Sequence, residues 1–321
     1  MNQAVPMIKL QAVTQAAEHL KKRGIFSSRL KRDEILLGYA LLLPSFLFIG
    51  LVIGYPLVRS VQLSLNRFKL TAGVDSEQFC GLCNFQSLLR DPFLDVYLRN
   101  QAIWVLGATF LPILFALVLA LLMDRELRGR WFWRSVVLIP WMMPIATTAL
   151  TWRWIYDRQW GLLNYYLRQL GIISENVGFL TDKLWLWPSI LLMAMWMWFP
   201  YNYVAILAAL QAIPKEMREA ARVDGCTPLK EIWYITLPSI RPVLSLLIVL
   251  GLIWSMNDFT AIFLLTEGGP GIDSTTLAPL VYKVSFRYYD LGKGAAIGMV
   301  LMLISLIFGA IYLQMVKAEE K

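Results

Sequence analysis

Six stretches of this 321-residue chain carry almost no charge, and they constrain its fold more than any other feature. Ile35–Val58 is uncharged over 24 residues, Gln101–Met123 over 23, Ser135–Trp152 over 18, Leu184–Pro214 over 31 and Gly294–Val316 over 23. Pro242–Thr266 is interrupted only by Asp258. A helix rises 1.5 Å per residue, so about 20 apolar residues cross a hydrocarbon core of roughly 30 Å. A bilayer core holds no water for backbone groups, so runs of this length must bond internally, as helices. The expected class is therefore all-α, a polytopic membrane protein with six transmembrane helices at about 35–58, 101–123, 135–156, 184–210, 242–266 and 294–316. The permease-sized region 35–316 follows a basic segment, 1–34, and precedes a short tail, 317–321. Prolines 44, 112, 140, 144 and 200 inside the runs fit helices locally opened within a bundle.

Composition supports that class. The chain is 58% hydrophobic and 16% charged, too apolar for a soluble domain of ordinary make-up. Thirteen Trp and thirteen Tyr suit membrane-interface belts and sugar-stacking surfaces alike. The net charge of +8 lies beside the apolar runs rather than in a separate basic stripe, which sets nucleic acid aside as a partner. One histidine, His19, leaves no material for a histidine-built metal site. Residues 12–22 fit either an amphipathic helix on the membrane surface or a partly ordered tail, and the apolar core of a cleavable signal peptide is missing from the first residues. With the N-terminus in the cytoplasm, the inner segments carry 18 Lys and Arg and the longer outer ones 11, as the positive-inside rule requires. Both termini are then expected to be cytoplasmic.

Between the fourth and fifth runs lies a polar segment, 214–238, on the inner side of that arrangement. Pro214 suits a helix start, and Lys215–Val223 holds good helix formers. Asp224-Gly225 stops the helix, because Gly accepts the left-handed conformation found at helix ends. Thr227-Pro228 starts another, with Thr at the N-cap and Pro at the first position. The small Ala220, Ala221 and Gly225 let another protein approach, and Glu219, Arg222 and Asp224 offer charge for pairing.

The segment places E-A-A at Glu219, Ala220 and Ala221, D-G at Asp224 and Gly225, and I-x-L-P at Ile235, Leu237 and Pro238. This fixed gapping resembles the EAA loop of the membrane-spanning subunits of bacterial ABC importers, with Cys226 where that family usually has Ala. The resemblance implies a cytoplasmic coupling helix-turn-helix seated in a cleft of a separate ATPase. Further likeness lies in Asn84–Asn100, NFQSLLRDPFLDVYLRN, and in the T-x-G-G-P of Thr266, Gly268, Gly269 and Pro270, with Tyr282, Phe286, Tyr289 and Gly292 beyond. These resemble the maltose and glycerol-3-phosphate type of carbohydrate permease. By that resemblance the chain is expected in the bacterial inner (plasma) membrane, as half of a translocation pathway for a sugar or sugar derivative. The implied partners are a second homologous permease, two copies of a cytoplasmic ATPase that hold the ATP and Mg, a periplasmic or extracellular solute-binding protein, and the surrounding lipid. No cofactor is implied in this chain.

An ionisable group inside a span usually faces a cavity or a partner, which makes Asp258 a candidate cargo ligand, against the alternative that it reaches water at the span's end. Ser255 precedes it by three residues, on the same helix face, with Asn257 beside them. In the fourth run Trp198 and Tyr201 have the same spacing around Pro200. W-M-W-F-P-Y and S-M-N-D-F resemble sugar-contacting segments of the maltose-type permease, and the chemistry suits a sugar: aromatic faces meet C–H groups, and Asp, Asn and Ser accept hydroxyl hydrogen bonds. Core packing is the competing reading for Trp198. Neither a Walker A sequence nor a G-x-S-x-G elbow occurs, so ATP hydrolysis is expected on a partner. A membrane-embedded transferase is the less favoured class, and an importer of a non-sugar solute is the nearer alternative. Cys80 and Cys83 are expected to be an incidental pair rather than a periplasmic disulfide.

Overall fold

The computed structural model describes residues 34–124 and 129–319. The surface helix considered for 12–22 lies outside the described residues. The chain divides after Ser60 into two units. The first holds most of α1 (Glu34–Leu65), which is uncharged from Ile35 to Val58, as a helix in lipid requires, and widens into a π-turn at Gly50–Gly54.

The second unit, Val61–Lys321, contains α2 (Cys83–Leu89), α3 (Leu94–Met123), α4 (Arg130–Met142), α5 (Ile145–Ile155) and α6 (Leu162–Gln169). These are followed by α7 (Lys183–Gln211), α8 (Lys215–Val223), α9 (Pro228–Met256), α10 (Thr260–Thr266), α11 (Leu277–Tyr282) and α12 (Leu291–Glu319). Among the described residues, five helices are long and apolar enough to cross a membrane: α1, α3, α7, α9 and α12. α4 and α5 form a sixth candidate as a pair bent by 92°. Pro144, in extended conformation between them, disfavours helix at the residue before it, Met143.

The bundle is organised on α3 and α7, which pack along one another. Lipid tails are as apolar as the side chains, so helices in a bilayer associate through close contact rather than hydrophobic expulsion. Ala108, Ala116, Ala120 and Ala194 are accordingly buried in that seam. Gly251 does the same for α9: a Cβ there would lie 2.8 Å from Cγ2 of Thr109 on α3.

Charge-free length and helix length differ at α3 and at α9. α3 begins at Leu94, seven residues before its uncharged run, because Asp95 and Arg99 sit on an extension that leaves the apolar core. The expected span 242–266 is two helices: α9 begins well before it and stops at Met256, and α10 resumes at Thr260. A helix end inside an apolar bundle leaves carbonyls without donors. α3 supplies them. Trp104 Nε1–H donates to the Ser255 carbonyl at 2.9 Å, and the Gln101 side-chain amide to the Met256 carbonyl at 3.3 Å. Asn100 donates to the carbonyls of Ile272 and Thr275, and Gln101 Oε1 accepts from Leu277 N–H. At the other end of α9, Pro238 has no N–H for the Tyr234 carbonyl, and the helix widens into a π-turn at Ile232–Thr236.

The end of the bundle near α2 and the start of α12 is capped by a short antiparallel pair, β1 (Asn66–Arg67) and β2 (Gln78–Phe79). Asn84 of the NFQSLL segment donates to the Ser64 and Asn66 carbonyls and fixes α2 to β1. Cys80 and Cys83 are joined by a disulfide, which corrects the incidental reading: the turn brings their Cα atoms to 5.6 Å, inside the range a disulfide spans.

Candidate functional site

The five candidate cargo residues meet in one cavity of about 290 Å³. α7 contributes Trp198, Tyr201 and Asn202; α9 contributes Gly251, Ile253, Trp254 and Ser255; Asn257 and Asp258 come from the break that follows. Thr109 and Ile113 of α3 and Ile145 of α5 complete the wall. An apolar chamber with a few convergent polar groups is the usual form of a small-molecule site. The rings are arranged around Tyr201, whose centroid lies 5.8 Å from Trp141 of α4 and 5.4 Å from Trp254. Trp254 is the residue that sequence reasoning missed. Its signal was its place four residues before Asp258, one helical turn away.

The polar groups are not equivalent. Ser255 is buried, and its hydroxyl donates to the Gly251 carbonyl at 2.7 Å with Thr109 Oγ1 3.3 Å away. Its proton is engaged within the helix, so it offers a ligand only an acceptor oxygen. Asn257 donates to the Ile253 carbonyl at 2.9 Å and to Ser305 Oγ of α12 at 3.2 Å, leaving its carbonyl oxygen as the group suited to a hydroxyl. Asp258 Oδ1 accepts the Ala261 N–H at 3.1 Å and so caps α10. The carboxylate therefore stands at a helix N-terminus, where the aligned peptide dipoles favour negative charge. Breaking the span at Met256 is what brings this carboxylate to the cavity.

The segment 214–238 forms the two helices expected, α8 and the start of α9, joined at Gly225 with φ +76°. Cys226 N–H reaches back to the Ala221 carbonyl at 2.9 Å, the six-to-one bond of a Schellman ending, and a side chain at residue 225 would oppose that backbone. The Thr227 backbone rather than its hydroxyl opens the next turn, with Pro228 at the first position. Glu219, Ala220, Asp224, Gly225 and Pro238 are exposed, and Ala221 is half-buried. Ile235 is half-buried too, and Leu237 packs on the second apolar cluster, with Ile240 and Tyr203, so its place is within the bundle. Around them Val223, Leu229, Trp233 and Tyr234 are exposed. The Arg222 side chain lies outside the described residues. A second cavity, about 710 Å³, separates this loop from the end of α3.

Residues 108–318 match the family described as "Binding-protein-dependent transport system inner membrane component". The sulfoquinovosyl glycerol transport system permease protein SmoG of Agrobacterium fabrum is 30% identical over 285 residues, 89% of this chain and 92% of that protein. The trehalose/maltose transport system permease protein MalF of Thermococcus litoralis is 32% identical, over 90% of this chain and 96% of its own length. The inner membrane ABC transporter permease protein YcjO of Escherichia coli is 32% identical over 88% and 94%. A chain in the crystal structure of a bacterial alginate ABC transporter, complexed with its alginate pentasaccharide-bound periplasmic protein, shares the fold: TM-score 0.76, 23% identity, 92% of this chain and 98% of that one. With relatives above 30% identity along nearly their whole lengths and the family match covering most of the bundle, the chain belongs to the binding-protein-dependent transport system inner membrane components, the multi-pass permease subunits of ABC transporters.

Proposed function

We propose that this permease carries a sugar or sugar derivative inward and that the 290 Å³ cavity is its cargo site. The observation that carries this reading is the meeting of Trp198, Tyr201 and Trp254 with Asn257 and Asp258 around one chamber. Aromatic rings cover the C–H face of a pyranose, and carboxylate and amide oxygens accept its hydroxyl protons. The names of the relatives, a sulfoquinovosyl glycerol system and a trehalose/maltose system, support the same cargo class.

In the mechanism, a loaded solute-binding protein docks on the capped end of the bundle, which faces outward. ATP, with its Mg, closes two copies of a cytoplasmic ATPase, and each copy moves one coupling loop. One such loop engages one ATPase, so a second permease supplies the other loop and the other half of the pathway. Moving α8 shifts the spans against one another and turns access to the cavity from one side to the other. Glu219, Ala220, Ala221, Asp224 and Gly225 form the docking face, extended by the exposed apolar residues of the loop, while Ile235, Leu237 and Pro238 anchor it to α9.

The test is uptake by the reconstituted complex, with the cognate binding protein screened against a panel of carbohydrates, amino acids and ions. Binding-protein-dependent uptake of a carbohydrate is expected. Asp258→Ala and Tyr201→Ala should each reduce it about tenfold or more, since a buried hydrogen bond to a charged acceptor is worth about 1.5–3 kcal/mol, while the ATPase still co-purifies. Uptake of an amino acid or an ion instead would overturn the cargo, and wild-type uptake by both variants would move the site elsewhere.

A further inference from the structure

α8 is peculiar among the helices of the second unit in how it meets the bundle. Among the described residues, neither apolar cluster includes a side chain from Lys215–Val223. Instead the 710 Å³ cavity, lined by Asp124, Lys215, Arg218, Glu219 and Glu231, stands between α8 and the end of α3. Arg218 reaches from α8 to the bundle. Its Nη1 lies 2.6 Å from Asp124 Oδ2, at the C-terminal end of α3, and its Nη2 donates to the Leu210 carbonyl near the end of α7 at 3.0 Å. The side chains are only 21% and 15% exposed, so water and salt screen the pair little, and removing one partner strands the other charge. Arg134 of α4 adds a bond to the neighbouring Met123 carbonyl at 3.3 Å, which braces the same helix end.

What α3 holds at its other end makes this contact consequential. Within one unbroken helix, Thr109 and Ile113 line the cargo cavity, and Trp104 and Gln101 hold the carbonyls at the break in α9, next to Asp258. A displacement of α3 at Asp124 therefore reaches the wall of the cavity and the break together.

We propose that the Arg218–Asp124 ion pair is the mechanical link through which the coupling helix moves α3 and α7, making Arg218 a positioning residue for transport. α8 then acts on α3 through a polar joint, across a gap, while the loop's apolar contact with the bundle lies further along, at Leu237. This rests on the reading above that the loop seats in an ATPase.

The experiment needs no knowledge of the cargo. The full permease is assembled with its second permease and ATPase, in a Cys226→Ala background carrying Ile253→Cys as a reporter on the cavity wall. The probe is N-ethylmaleimide, and its rate of reaction is compared in nucleotide-free complex and after trapping with ATP and vanadate. The rate should change about tenfold in the parent complex. Arg218→Gln and Asp124→Asn should each lose most of that change, the order of effect expected when one partner of a buried pair is removed, although ATP hydrolysis continues. The exchange variant, Asp124→Arg with Arg218→Asp, should recover it. A parental response in either single variant, or no recovery in the exchange, overturns the link. A parent complex that does not respond to ATP overturns the coupling reading and the link with it.

Discussion

The two polar connections flanking α9 are built in opposite ways. The connection from α10 to α11 turns its polar side chains inward. Thr266 and Ser274 share a hydrogen bond at 2.8 Å, Thr275 Oγ1 donates to the Gly268 carbonyl at 2.8 Å, and Asn100 reaches in from α3. Ser274, Thr275 and Thr276 are at most 1% exposed. The segment 214–238, made of α8 and the first turns of α9, has a well-formed backbone and an exposed apolar surface: Val223 is 87% exposed, Tyr234 76%, Leu229 72% and Trp233 68%. Exposed apolar side chains of this kind fit the interface proposed above for this loop, whereas the other connection packs its side chains against its own chain. On that reading the apolar surface is left for the ATPase.

The sharpest way to break this comparison is to ask which side each connection faces. Cys226 should react with a membrane-impermeant maleimide only in opened cells, and Cys80 and Cys83 should react from outside only after reduction of their disulfide. Labelling of Cys226 in intact cells would exchange inside for outside. Next in size, Gly225→Asp should abolish uptake while leaving the permease inserted. A non-glycine residue at φ +76° costs roughly 1–2 kcal/mol locally and places a charge on the docking face. Near-normal uptake would remove the loop from the mechanism.

A paired change sharpens the contrast. Asn100→Leu deprives the buried Thr275 carbonyl of its donor at about 1–3 kcal/mol, and the part-buried Ile272 carbonyl at less, and should lower the melting temperature of the purified permease by several degrees. Leu229→Ser should leave that temperature unchanged and weaken capture of the ATPase. Equal effects of the two on melting would erase the distinction. The smallest effect is expected at Glu267, whose carboxyl is held below the usual glutamate range by the hydrogen bond from Arg287 at 3.0 Å. Its contribution is present above the ordinary value of 4.5 and is lost as pH falls through the lowered one. The pair is largely exposed and worth at most about 1 kcal/mol. The melting difference between wild type and Glu267→Gln should therefore be slight at pH 7 and vanish as the pH falls through the lowered value.

Long uncharged runs made the apolar helices readable, because a bilayer leaves such runs no other structure. What they conceal is where a helix stops. Met256 is followed by neither glycine nor proline, and the groups that stabilise the break, Trp104 and Gln101, are some 150 residues earlier in the chain. The elbow after α4 was foreshadowed by Pro140 and Pro144, but a proline alone does not distinguish a kink from a 92° turn. The cargo candidates were visible as rings and acceptors inside otherwise apolar text. Trp254 was not, since a lone aromatic in such text reads as packing. Ile235, Leu237 and Pro238 share a motif with Glu219 and Gly225, yet Leu237 packs inward, because a motif records position along the chain and not which face a helix turns out.

Arg218 also settles a question of parity. It touches the end of α3 at Asp124 and the end of α7 at Leu210, so those two helices finish at the same level and run in the same direction. Two successive parallel crossings require an odd number of returns between them. Of the described helices in that interval, α6 has eight residues and reaches about 12 Å, too little for a bilayer. Among the described helices, the bent pair of α4 and α5 is then the one left to make the return. A single guanidinium on another helix thus favours a broken span over a loop dipping in and out by the same side.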